Sequence, residues 1–152
     1  MKLRRLWFAL GLVLLGGCMT TPLPHDLPSV DEAVNAFNND VRWARWHEAA
    51  QHVEPSERGA FLRLLDDTSS PFHFTSVDEL SREETAKDHS ELDLFVAMEY
   101  YRLPSVKERQ VRQRQHWRYD VDAKAWLVTP DISVLRTQVS SEIPEASRST
   151  WR

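Results

Sequence analysis

The sequence predicts an α+β protein, with N-terminal helices packed on a curved antiparallel sheet of about four strands. Three observations carry this. Apolar residues recur at helical spacing from Val30 to Leu65. From Phe72 the period of the pattern drops to two. The strand-like segments between 92 and 129 are joined by short connections, which suit antiparallel hairpins and are too short for parallel crossovers. The apolar face of such a sheet has no second sheet to cover it, so it should curl over the helices.

The chain opens with a different kind of segment. Lys2, Arg4 and Arg5 form a positive stretch, followed by ten largely apolar residues from Leu6 to Leu15. That run falls short of the roughly 20 residues needed to cross a bilayer and has the length of a cleaved secretory signal. It ends in Leu15-Gly16-Gly17-Cys18, which holds the single cysteine of the chain. An aliphatic residue, two small residues and a cysteine at the end of the apolar run resemble the lipobox of bacterial lipoproteins. The resemblance implies cleavage after residue 17, a diacylglycerol on the thiol of Cys18 and a further acyl chain on its amino group. In lipoproteins of enteric bacteria an aspartate after the cysteine signals retention at the inner membrane. Met19 therefore points to the periplasmic face of the outer membrane.

From Cys18 onward the chain has 16 basic and 23 acidic residues, a formal charge of −7. This acidity argues against a nucleic-acid partner. With Cys18 acylated no thiol remains for disulfides or thiolate metal sites. Residues 18–28 contain three prolines and no periodicity, and read as a lipidated cysteine with a short extended tether.

The domain is expected over 29–130. Ser29 and Glu32 form a capping box for a first helix buried through Val30, Ala33, Val34, Phe37 and Val41. A second helix, 43–53, places Trp43, Trp46, Ala49, Ala50 and Val53 on one side. Pro55 suits the first turn of a third, with Phe61, Leu62, Leu64 and Leu65 inward and an end near Asp66. Phe72 to Val77 reads as a strand that weakens towards Ser81, and the charged residues 82–91 as a solvated loop or an irregular hairpin end. Leu92 to Tyr101 alternates as a long strand with one apolar face, 107–119 forms the next, and Ala125 to Thr129 the last. Residues 131–152 read as a polar, partly disordered tail. Ile132, Val134, Leu135 and Val139 within it are placed as an additional docked strand.

Three stretches carry a second resemblance. They are Arg42 to Ala50 running into Val53-Glu54-Pro55, Tyr100 to Ser105 between two long strands, and Gln115-His116-Trp117-Arg118 followed by a turn and Trp126-Leu127-Val128. Together they resemble the NTF2-like, or cystatin-like, superfamily, in particular a group of proteobacterial lipoproteins without assigned activity. The resemblance implies an α+β cone able to hold a small ligand between sheet and helices. Enzymes of the superfamily place an Asp or a His–Asp pair in that cavity.

No catalytic constellation is legible. The strand carboxylates Asp78, Glu79, Asp93 and Glu99 have no histidine at a diagnostic spacing, and solvated strand faces account for them. The six histidines are scattered; His47 and His52, five residues apart, do not share a helix face, so neither a metal site nor a cofactor is predicted. The clearest surface feature is a cationic ladder. Arg112, Arg114, His116 and Arg118 alternate along one strand and so occupy one face of it. They form a candidate site for an anionic lipid or an acidic envelope protein, or a solvated face paired with carboxylates such as Glu99 on the next strand. The opposite face carries Gln113, Gln115 and Trp117. These, with Tyr101, form a pocket candidate, the glutamines either lining a cavity or satisfying buried backbone groups. The function expected is that of a lipid-anchored binding or assembly-support domain. A small-molecule carrier or an enzyme using the cone is the alternative.

Overall fold

The computed structural model describes residues 27–66 and 72–142; Cys18 and the residues preceding Leu27 lie outside this range. The order of elements is α1 (Val30–Arg42), α2 (Trp46–His52), α3 (Arg58–Leu65), β1 (Phe72–Glu84), β2 (Glu91–Arg102), β3 (Ser105–Asp120), β4 (Ala125–Pro130) and α4 (Ser133–Glu142). The strands form one antiparallel sheet in the order β1-β2-β3-β4. The α+β plan predicted from periodicity is the observed one.

Ser29 caps α1 by accepting from the Asp31 amide at 3.3 Å, so the cap is made one residue earlier than a capping box requires. Val34, Phe37 and Val41 are its buried stripe. The second helix is shorter than its pattern suggests. Trp43 closes α1, and Ala44 takes a left-handed φ of 55° before α2 begins at Trp46. That kink turns Trp43 out to 62% exposure while Trp46 goes into the core.

The core lies between the helices and one face of the sheet. Phe37 meets the Trp117 ring edge-on at 5.8 Å and Phe61 at 6.0 Å. Phe72, Phe74 and Tyr100 form a second aromatic group, joined to Trp46 through Phe74 at 6.1 Å. The inward face of β2 is Leu92, Leu94, Val96, Met98 and Tyr100, all buried. Full burial of each such side chain is worth about 1.5–3 kcal/mol, which makes this interface the main source of stability.

Two further expectations change. β1 continues to Glu84 and leaves only 85–90 as the connection, because an edge strand needs a paired backbone on one side and no apolar side chains. Its far half is charged for this reason, and Arg82 reaches back to Asp31 of α1 at 2.7 Å. Register shifts at Phe74/Ser76 and Glu79/Ser81 bend the strand. The tail segment beyond Asp131 is a helix, not a strand. Asp131 accepts from the Ser133 amide and hydroxyl, at 3.0 and 2.6 Å, and starts α4. Leu135 is buried in the common core, so the packed domain extends past residue 130.

Candidate functional site

The outward face of β3 brings Arg112, Arg114, His116 and Arg118 into one row, as their alternation requires. Three of the four are already engaged. Asp93, on the outward face of β2, lies opposite His116. Its carboxylate accepts from His116 Nδ1 at 2.8 Å and from the Arg114 guanidinium at 2.7 Å. Burial works to raise the Asp93 carboxyl, but the hydrogen bonds and charges of Arg114 and His116 outweigh it and hold the group below its ordinary value. Arg118 donates to Glu54 at 2.6 Å and to Asp120 at 3.5 Å. Glu54 is in place because Val53 bridges to Val128 and the Glu54 amide donates to the Val128 carbonyl, which seals the free edge of β4. Among the described residues Arg112 makes no ion pair.

The carboxylate that pairs with the ladder is thus Asp93. Glu99 instead accepts from the Ser76 hydroxyl at 3.2 Å and from Gln110 at 3.5 Å. The signal for Asp93 lay in the hairpin. Counting strictly outward from Arg102 opposite Ser105 sets Asp93 opposite Arg114, and the register shift between Tyr100 and Arg102 moves its partner to His116. Either count places an outward acid within the cationic row.

The four pocket candidates do not form a pocket. Tyr101 stands on the outward face, stacked on His73 at 4.9 Å, because odd positions of β2 and odd positions of β3 point to opposite sides. Gln113, Gln115 and Trp117 are inward and buried, and their polar groups bond to protein. Gln115 donates to Asn38 Oδ1 at 2.8 Å and to Gln113 Oε1 at 3.4 Å; it accepts from Trp117 Nε1 at 3.3 Å. Gln113 donates to the Asp131 carbonyl at 3.3 Å. This amide chain ties α1, β3 and the start of α4 together. Of the two readings of the glutamines, satisfaction of backbone groups holds for Gln113 alone, through the Asp131 carbonyl; Gln115 bonds to side chains instead.

An open groove of about 280 Å³ lies elsewhere, lined by Pro28, Ala33, Ala36, Ala125 and Trp126, with Glu32 and His52 among its polar groups. Burial lowers the His52 imidazole, only partly offset by the charge of Asp40. Trp126 Nε1 donates to the Pro28 carbonyl at 2.7 Å and so fixes the point where the chain enters the domain. Among the described residues, the buried Tyr100 hydroxyl and His73 Nε2 have no hydrogen-bond partner.

Among the described residues no helix is long and apolar enough to cross a membrane, and no group of three His, Cys, Asp or Glu is arranged to hold a metal ion. The chain matches no protein-family model, no curated protein and no solved structure.

Proposed function

We propose that this chain is a lipid-anchored domain of the bacterial envelope, of NTF2-like plan, that works by binding. In this reading residues 1–17 are removed, Cys18 is acylated, and a short tether holds the domain at the periplasmic face of the outer membrane. The observation that carries the binding role is the filled interior. Between helices and sheet, Phe37, Phe61 and Trp117 pack ring to ring, as do Phe72, Phe74 and Tyr100, and the inward glutamines bond to protein, which supports a packed interior. On the outward face of β3, Arg112 is exposed and makes no ion pair among the described residues, which leaves it available to a partner. The helices followed by an antiparallel four-strand meander support the NTF2-like plan.

Two experiments test this reading. Cys18→Ser should abolish fatty-acid labelling and release the protein from membranes; a fully membrane-bound variant would contradict the anchor. For binding, Arg112→Glu is the clean probe of the outward face. Reversing Arg114 or Arg118 would set a new carboxylate against Asp93 or Glu54 and mix folding with recognition. Loss of partner capture by Arg112→Glu with an unchanged melting curve is expected, and unchanged capture would remove the ladder as the binding surface. The groove beside Pro28 and Trp126 favours one second reading, a carrier of a small apolar ligand. Quenching of Trp126 fluorescence by such a ligand would establish it.

A further inference from the structure

The basic residues of this acidic chain are unevenly placed. Residues 102–118 hold six of the 16 Lys and Arg that follow residue 17, and one acid, Glu108. Folding turns this segment into β3 and the tip of the β2–β3 hairpin. Arg114 and Arg118 are paired with carboxylates, and Arg102 is buried with its guanidinium 4.8 Å from the Phe72 ring centre. Lys107 and Arg112 make no ion pair among the described residues. At the same tip two aliphatic side chains stand in solvent, Leu103 at 45% and Val106 at 76% exposure. Val106 and Arg112 share the outward face of β3, by their even spacing.

The other end of the sheet has the opposite character. There the chain enters at Pro28, and the two turns and their flanks carry Glu84, Asp88, Glu91, Asp120 and Asp122 against Lys87 and Lys124. An anionic surface would repel this end and attract the hairpin tip, so the charge pattern orients the domain. Exposed aliphatic side chains at a hairpin tip, flanked by cations, match the headgroup layer of a bilayer: the apolar groups reach the acyl boundary and the cations stay with the phosphates.

We propose that the tip of the β2–β3 hairpin docks on the anionic phospholipid surface of the membrane that holds the anchor. Leu103 and Val106 enter the headgroup layer, and Lys107 and Arg112 meet phosphate oxygens. This rests on the envelope reading above and gives the tethered domain a second contact with its membrane. The dimensions allow it. Residues 19–27 reach about 30 Å at most. Ser105 and Tyr119 are about 45 Å apart along β3 at ~3.3 Å per residue. With β3 tilted to about 40° or less from the bilayer plane, the tip meets the surface while the tether spans the gap beneath the acidic end.

The test uses the chain from residue 18 onward with Cys18→Ser, which has no lipid and no other cysteine. Val106→Cys in that background takes a polarity-sensitive dye at the tip, and Val121→Cys, 75% exposed at the far end, takes the same dye as a control. With phosphatidylglycerol vesicles at low salt the dye at 106 should shift to the blue and the dye at 121 should not. Phosphatidylcholine vesicles should shift neither. Adding Lys107→Glu and Arg112→Glu should reduce partitioning by about tenfold or more. No shift at 106, equal shifts at 106 and 121, or partitioning indifferent to charge reversal would overturn the proposal. So would a shift produced by a purified envelope protein and not by vesicles. Fatty-acid labelling of Cys18 in the unaltered protein reads the anchor separately, so either idea can fail alone.

Discussion

The Asp93 carboxylate and the His116 imidazole meet at 2.8 Å across the β2–β3 pair, on the face of the sheet that points away from the helices. Asp93 is nonetheless buried, because Arg114 and His116 close over it. A buried acid on an outward face is stable only while both donors remain. It serves as the joint that holds the middle of the cationic row in place.

Asp93→Asn should therefore destabilise the domain by about 1–2 kcal/mol at neutral pH, as hydrogen bonds to a charged group are lost. The pH dependence has a definite sign. The folded state holds the Asp93 carboxyl below its ordinary value. Its contribution is then complete above the unfolded value, about 3.9, and is lost as pH falls through the lower folded value. Denaturant melts at pH 7, 4 and 3 should show the variant losing less stability with acid than the parent. Parallel losses would contradict this account.

Gln115 is fully buried at the centre of the amide chain. Gln115→Met keeps its length and removes its polar atoms, leaving Trp117 Nε1 and Asn38 Oδ1 without those bonds. The expected cost is about 1–3 kcal/mol, read by chemical denaturation. A neutral result would mean that the chain contributes nothing beyond packing.

Tyr100 should behave in the opposite way. Its hydroxyl is buried without a partner, and burial pushes its ionisation upward, so it stays neutral. Tyr100→Phe removes an unsatisfied group and should leave stability unchanged or raise it by up to about 1 kcal/mol. A loss above about 1 kcal/mol, measured by thermal or chemical melts, would show that the hydroxyl is satisfied in solution.

His52 gives a second pH effect. Burial lowers its imidazole below 6.5 despite the opposing charge of Asp40. The unfolded chain then binds more protons there, so stability contributed at this site is present above the unfolded value and falls as pH drops through it. His52→Gln should flatten the stability profile between pH 7 and 5. A profile as steep as that of the unaltered protein would assign the effect to another group.

Much of the fold was legible because it depends on local pattern. The spacing of Val34, Phe37 and Val41 defines α1, and the alternation from Leu92 to Tyr100 defines the inward face of β2. Errors came where a single pattern allowed two outcomes. Trp43 continues the helical spacing of Trp46, yet the left-handed Ala44 breaks the helix between them. Ile132, Val134, Leu135 and Val139 are too few to choose between strand and helix, and the Asp131 cap decided for helix. The charged residues 82–84 lack strand character in their side chains, but their backbones pair with β2.

The sequence by itself determined the α+β plan, the cationic row on one face of β3 and the inward position of Gln113, Gln115 and Trp117. These follow from periods of 3.6 and 2, which the chain states locally. Only the tertiary structure decided what those groups touch. The register shift between Tyr100 and Arg102 sets Asp93 against His116, the Val53–Val128 bridge brings Glu54 to Arg118, and the packing of α1 delivers Asn38 to Gln115. Each contact joins segments whose relative position depends on the whole core being packed, and no local period encodes that.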